Sequence, residues 1–280
     1  MAPQEMQELV YDWNTSQGSW KPERKVELDD ETLRDGLQSP SVTDPPIEAK
    51  IEMLHLMDRL GIDALDVGLP GAGKQQVDAT RALCREIVEA KLAIRPNCAA
   101  RTLRQDVEPI ARVSQEVGLP IEAAVFIGSS PIRQLAESWT VETIQKHSEE
   151  AIRFAVSEGL PVMYVTEDTT RSHPETVRRL YTAAVGAGAR RVCVADTVGH
   201  ATPEGTAAVV SFVREVVDAT GEEVKVDWHG HKDRSLSVVN CLAAIRAGAD
   251  RVHAAAIGVG ERSGNAPMEQ VLVNLSLLGW

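Results

Sequence analysis

The chain has 280 residues, 43% of them hydrophobic and 25% charged, which suits one soluble domain with a large buried core. Its formal net charge of −12 argues against a nucleic-acid partner, which selects a basic stripe, and no basic run marks a membrane surface. No apolar stretch is long enough to span a bilayer, and the opening MAPQEMQELVYDWN lacks the apolar core of a secretory signal. Cys84, Cys98, Cys193 and Cys241 form no CxxC pair, so they are expected as small buried hydrophobes in a reduced, cytoplasmic setting.

Residues 1–24 read as an extension carrying Tyr11, Trp13 and Trp20 in a polar stretch. Those aromatics suit either the bottom of a barrel or a partner chain. Over 25–280, short β-branched or apolar runs alternate with longer amphipathic segments. The strand candidates, in order, are KVELDDET, ALDVGL, AIRPNCAA, IEAAVFIG, PVMYVTED, RVCVADT, EVKVDWHGH and RVHAAAIG. Helical patterns lie between them, such as PPIEAKIEMLHLMDRLG, with proline near the start and glycine at the stop. The same glycine stop recurs in VSQEVGLP, AVSEGLP, AAVGAGAR and AAIRAGAD. Eight strand–helix units predict a (β/α)8 barrel, with a doubly wound open sheet as the alternative. Each strand reads as apolar until its C-terminal end, where Arg34 and Asp35, Glu167 and Asp168, Asp196 and Thr197, and His229 and His231 stand. Barrel active sites occupy that rim.

Three segments carry chemistry. His229 and His231 are two apart on a strand, so both imidazoles point to one face and can reach one ion. Such pairs also serve in hydrogen-bond networks. In TLRDGLQ, Asp35 offers the anionic ligand that neutral imidazoles lack, and Arg34 offers a planar fork of donors for a carboxylate or oxyanion. A structural Arg–Asp pair closing the barrel fits the same residues. In GVGERSGN, Glu261 and Arg262 can pair to brace a glycine-rich loop, and Asn265 offers a neutral oxygen to a metal. A phosphate-gripping loop is the alternative there. The mixed N/O donor set suits Mn²⁺, Mg²⁺, Co²⁺ or Zn²⁺ without selecting among them.

ETLRDGLQS (31–39) resembles the signature of the DRE-TIM metallolyases. HGHKD (229–233) and GVGERSGN (258–265) resemble the other fingerprints of the Claisen-condensing branch, the 2-isopropylmalate, homocitrate and citramalate synthases. The likeness runs from about Val26 to the end of the chain. It implies that Asp35, His229 and His231 are metal ligands, with Asn265 a fourth position or a partner behind the ligands. It implies that Arg34 polarises the oxo group of a 2-oxo acid and that Thr197 grips its carboxylate. Glu167 and Asp168 fall where the family keeps an acidic pair near metal and substrate. The implied reaction condenses acetyl-CoA with a 2-oxo acid in an enzyme that forms a homodimer or higher oligomer.

The departures from the family pattern matter equally. Ala124-Val125-Phe126 stands where synthases often carry H-x-F, and SSPIRQLAESW differs from the usual stretch after it. The chain stops at Trp280, so the lid that supplies groups for deprotonating acetyl-CoA is expected to be missing. Glu167, His173 and His200 are then the internal candidates for the base. Asp66, Leu69, Asn97 and Arg101 are candidates for tuning the substrate pocket, with Arg101 suited to a second acidic group. A lyase or aldolase running the bond the other way is the rival reading. No cysteine follows Cys241, which counts against the hydroxymethylglutaryl-CoA lyases. A non-catalytic barrel that binds metal or oxo acid is the third reading.

Overall fold

The structure is a computed structural model and describes residues 11–15, 20–22 and 24–279. Eight parallel strands close into a barrel in chain order: β1 (Glu27–Asp30), β2 (Ala64–Asp66), β3 (Arg95–Arg101), β4 (Glu122–Gly128), β5 (Val162–Glu167), β6 (Arg191–Asp196), β7 (Lys225–Gly230) and β8 (Arg251–Ala254). β8 pairs back onto β1, with Glu27 opposite Arg251 and Asp29 opposite His253. The (β/α)8 expectation is borne out and the open-sheet alternative falls.

The outer ring is α1 (Ile47–Leu60), α2 (Lys74–Glu89), α3 (Arg104–Val117), α5 (Val141–Ser157), α6 (Pro174–Ala187), α7 (Pro203–Asp218), α8 (Ser237–Arg246) and α9 (Met268–Leu277). The short α4 (Pro131–Glu137) is an extra turn at the rim, built from the unusual SSPIRQLAESW stretch. Ser130 caps it by accepting from the Arg133 amide, and Pro131 starts it. Glycine stops end ring helices where the sequence marks them; Gly61 and Gly118 both take the left-handed conformation, at φ 84° and 71°.

The main core lies between sheet and helices. Val26, Leu28, Val192, Val194, Val226 and Val252 face outward from the strands into buried side chains of the ring such as Leu83, Ile110 and Val213. Each such side chain contributes about 1.5–3 kcal/mol of burial.

The inside of the barrel is different. Asp29, Asn97, Asp227, Arg251 and His253 are all buried there, joined by Glu122 and Arg191. The expectation that strands stay apolar until their ends is therefore wrong for the inward face. A parallel strand covered on both sides alternates between two buried environments, and here the inner one is ionic. Above this ionic floor the inward residues are small or flexible: Ala124, Met163 and Cys193 form their own apolar cluster. Their small size leaves the upper barrel open.

Within the N-terminal extension, Trp20 packs partly buried against the core, whereas Tyr11 and Trp13 are exposed and meet edge-on at 4.8 Å. Residues 1–10, 16–19 and 23 of that segment lie outside the described residues. All four cysteines are free and buried. No helix among the described residues is long and apolar enough to cross a membrane.

Candidate active site

The rim gathers Asp35, just past β1, with His229 and His231 from the end of β7. One ligand atom from each lies within 4.8 Å of the others, and all three residues are buried. The period of two along β7 turns both imidazoles inward, their centroids 5.0 Å apart. Gly230 between them faces out, where a Cβ would come within 2.9 Å of the Trp228 indole nitrogen.

His231 Nδ1 lies 2.8 Å from the Thr197 carbonyl oxygen. A carbonyl only accepts, so Nδ1 carries a proton, and in the neutral ring Nε2 holds the lone pair. That Nε2 is buried without a hydrogen-bond partner, 3.4 Å from Asp35 Oδ2. Two such groups facing each other in a buried site need a shared cation between them, a proton or a metal ion. His229 is kept neutral, because burial lowers its pKa more than the nearby Glu31 raises it. Burial pushes Asp35 up, but the facing His231 ring and the Arg34 guanidinium hold it well below the usual carboxylate range. Two imidazoles and an ionised carboxylate are the donor set of a divalent-metal site, so the residues present fit such an ion.

Asn265 is placed behind this set. Its Nδ2 donates to Asp35 Oδ1 at 2.6 Å and to the Val259 carbonyl at 3.0 Å. Both partners only accept, so the amide nitrogen, not the oxygen, faces Asp35. Asn265 thus backs Asp35, the arrangement of the second of the two positions expected for it. The Glu261 amide also donates to Asp35 Oδ1, at 3.1 Å. A side chain at Gly260 would collide with both Asn265 and Asp35, which explains a glycine at that point of the loop.

Arg34 donates from Nε to Asp66 at 2.8 Å, from Nη1 to Asp35 at 3.2 Å and Gln38 at 3.3 Å, and from Nη2 to Glu31 at 2.6 Å. A guanidinium has five N–H groups, so these four bonds leave one on Nη2. Asp66, buried and only partly compensated by Arg34, is pushed up to about 7.

A cavity of about 210 Å³ opens above the floor, lined by Arg34, Asp35, Asp66, His229 and His231 together with Leu69, Glu167, Thr197 and Glu261. Thr197 accepts the Asp168 amide at 2.7 Å, which leaves its own hydroxyl proton free to donate. Glu167 is raised by burial against the pull of Arg133, whose guanidinium lies 3.6 Å away.

Other expected residues are elsewhere. Asp168 is turned into a two-pronged pair with Arg171, both bonds 2.7 Å. Arg101 is committed to Asp106, at 2.6 and 3.0 Å, outside the cavity. Asn97 donates to Asp29 inside the floor. His173 and His200 are exposed and do not line the cavity. Glu261 and Arg262 approach only to 3.7 Å; Arg262 instead grips Asp233 through two bonds of 3.0 Å and reaches the Thr197 carbonyl. The brace therefore ties the loop after β8 to the loops after β7 and β6.

Sequence reasoning missed Glu31 and His253. His253 Nδ1 meets Glu31 Oε1 at 2.8 Å, and its Nε2 meets Asp227 Oδ2 at 3.0 Å. With a carboxylate at each nitrogen the ring holds both protons. Burial lowers its pKa, but Asp29, Asp227 and Glu31 outweigh that and push it up to about 10. An unfolded histidine titrates near 6.5. The folded chain thus keeps a proton between those values that the unfolded chain has lost, so this stabilisation is full below about pH 6.5 and fades as pH rises toward 10. Thermal unfolding from pH 6 to 10 should show Tm falling with pH, and His253→Gln should flatten the fall. Equal slopes in both proteins would remove the assignment.

Residues 25–280 match the HMGL-like family. The chain belongs to the HMGL-like family. Its DRE-TIM resemblance is thereby borne out. The chain is 36% identical over 257 residues to a probable 2-isopropylmalate synthase of Methanopyrus kandleri, covering 91% of this chain and 48% of that protein. It is 35% identical over 262 residues to the homocitrate synthase AksA of the same organism, covering 91% of this chain and 62% of that one. The HMGL-like chain thus spans about half to three-fifths of the length of these curated relatives. Among solved structures, the HMG-CoA lyase of Brucella melitensis superposes with a TM-score of 0.74 at 19% identity, covering 91% of this chain and 92% of that one. That likeness concerns the barrel fold.

Proposed function

We propose that this barrel condenses an acyl-CoA, acetyl-CoA in the simplest case, with a 2-oxo acid at a divalent-metal site formed by Asp35, His229 and His231. The observation that carries the reading is the buried, unpartnered Nε2 of His231, facing Asp35 from a ring whose Nδ1 is held by the Thr197 carbonyl. The synthase names of the relatives support the direction of the reaction. A divalent ion held there supplies Lewis-acid polarisation of a carbonyl oxygen.

The chain's own residues supply the rest. The remaining Nη2–H of Arg34 donates to the oxo oxygen as negative charge develops on it. The Thr197 hydroxyl donates to the substrate carboxylate. Glu167 is the base, since of Glu167, His173 and His200 only Glu167 lines the cavity, and its raised pKa suits proton abstraction. It takes a proton from the acyl methyl carbon, which then bonds to the oxo carbon; the C=O π pair moves onto oxygen as an alkoxide, which takes up a proton to become the product hydroxyl. Hydrolysis of the thioester by water releases the free thiol of CoA.

The acceptor in this reading is a monocarboxylic oxo acid with an apolar side chain. Leu69, Ala99, Ala124, Phe126, Met163 and Val165 line the cavity, and among the described residues Arg34 is its only lysine or arginine. A second substrate carboxylate would be buried there without a partner, which costs several kcal/mol.

The test is thiol release from acetyl-CoA with a panel of 2-oxo acids, with and without Mn²⁺, Mg²⁺, Co²⁺ or Zn²⁺. Metal-dependent release is expected with a branched or straight aliphatic oxo acid, at least about tenfold above 2-oxoglutarate, a gap of about 1.4 kcal/mol. A preference for 2-oxoglutarate would overturn the apolar assignment. A folded, metal-loaded protein with no release would favour cleavage of a hydroxy acid, or a binding role, on the same residues.

A further inference from the structure

We propose that Glu31 is a positioning residue that aims His229 at the metal site, and this inference rests on the reading of Asp35, His229 and His231 as that site. Glu31 stands at the first position beyond β1 and is buried. Its backbone is fixed: its amide donates to the Ala254 carbonyl at 2.8 Å, and its own carbonyl accepts from the Arg34 and Gly36 amides at 3.2 and 2.9 Å. The carboxylate is fixed too. Oε2 accepts from Arg34 Nη2 at 2.6 Å, which turns Oε1 toward the floor. There Oε1 accepts from His253 Nδ1 at 2.8 Å and lies 3.4 Å from His229 Nδ1. His253 is held from its other side by Asp227, at 3.0 Å.

The result is a chain of contacts from the ionic floor to the rim. Asp227 fixes His253, His253 and Arg34 fix Glu31, and Glu31 faces Nδ1 of His229, which leaves Nε2 as the ring nitrogen open to an ion. A carboxylate behind a histidine ligand keeps the proton on the rear nitrogen, sets the ring plane and leaves the front lone pair free. Thr197 performs that task for His231 through its carbonyl. Glu31 performs it for His229, from a different strand and with a full charge. A serine, threonine or apolar residue at position 31 would leave the His229 ring free to turn about χ2.

The experiment is calorimetric titration of Mn²⁺ into the metal-free protein, comparing the natural chain with Glu31→Gln, Asp35→Ala and the double variant Glu31→Gln/His253→Gln. Loss of a partner behind a metal ligand costs about 10–100-fold in affinity, and that loss is expected for Glu31→Gln. The double variant removes both charges of the Glu31–His253 pair. It should recover metal-free thermal stability relative to Glu31→Gln while keeping the weakened Mn²⁺ binding. A purely structural Glu31 would instead give a double variant that binds Mn²⁺ as tightly as the natural chain, and that outcome overturns the proposal. So does Glu31→Gln binding within twofold of the natural chain while Asp35→Ala has lost binding. If Asp35→Ala binds Mn²⁺ normally, the metal-site reading itself is wrong and this inference goes with it.

Discussion

Asp35→Ala is expected to abolish metal-dependent turnover, by on the order of 10³-fold or more, equivalent to about 4 kcal/mol of transition-state stabilisation. Asp35 is the only carboxylate in its trio with two imidazoles, and its Oδ2 is the oxygen turned toward His231. Without it the site keeps two neutral donors, too few and too weakly charged to hold a hard divalent ion against water. The fold should survive. Arg34 retains Asp66 and Glu31, and removing one of three clustered carboxylates relieves repulsion in the metal-free state. The clean readout is therefore the metal-induced rise in Tm. A ligand at 100 times its Kd stabilises by about 2.7 kcal/mol, and Asp35→Ala should show none of that rise. A variant that keeps the full rise would move the ion to another set; Glu31, His229 and His253 also bring ligand atoms within 4.8 Å of one another.

The parts of this molecule that were legible in the sequence are those where one physical rule acts alone. Glycine stops marked helix ends at Gly61, Gly118 and Gly188 because few other residues take the left-handed conformation cheaply. Two histidines two positions apart on a strand had to share a face, whatever the fold around them. The inward charges were harder to read. Glu27, Asp29 and Glu31 alternate along the first strand, Asp227, His229 and His231 along the seventh, and Arg251 and His253 along the eighth. The outward partners, Val26 and Leu28, Val226 and Trp228, and Val252, are apolar. That period of two was present, but it states only that one face is polar. The polar face of a strand is ordinarily the wet one, and closure into a barrel is what turns it inward. Arg101 and Asp168 illustrate the opposite error. Their positions at strand ends suggested substrate contact, yet each found a carboxylate or guanidinium within a few residues, Asp106 and Arg171, and was consumed locally. Sequence spacing cannot rank a near partner against a distant ligand.

The ionic floor supports the second large effect: Asp227→Ala should destabilise the fold by roughly 3–5 kcal/mol, the cost of leaving buried charges without their partner. Asp227 accepts from Arg191 Nη1 and Arg251 Nε at 2.6 Å each and faces His253 Nε2 at 3.0 Å. Removing one carboxylate therefore takes a bonded partner from three cationic groups at once, although Arg191 keeps Glu27 and Glu122, Arg251 keeps Glu122 and His253 keeps Glu31. For a chain of 280 residues that loss is a fall of roughly 5–9 °C in Tm, measurable by calorimetry. The remaining acids do not substitute: Glu122 already serves both arginines, and Asp29 reaches Arg251 only at 3.4 Å. Two further readouts locate the damage. His253 loses one of the carboxylates that hold its proton, so the fall of Tm with pH should flatten, as is expected of His253→Gln. Its grip on Glu31 also loosens, so Mn²⁺ affinity should weaken although Asp227 touches none of the three proposed ligands. A loss below about 1 kcal/mol would mean that water entering from the N-terminal end, where Arg95, Arg191 and Arg251 line a second cavity, takes over the freed donors. In that case the floor would be a solvated charge cluster rather than a dry one, and Glu31 would owe its orientation to Arg34 alone.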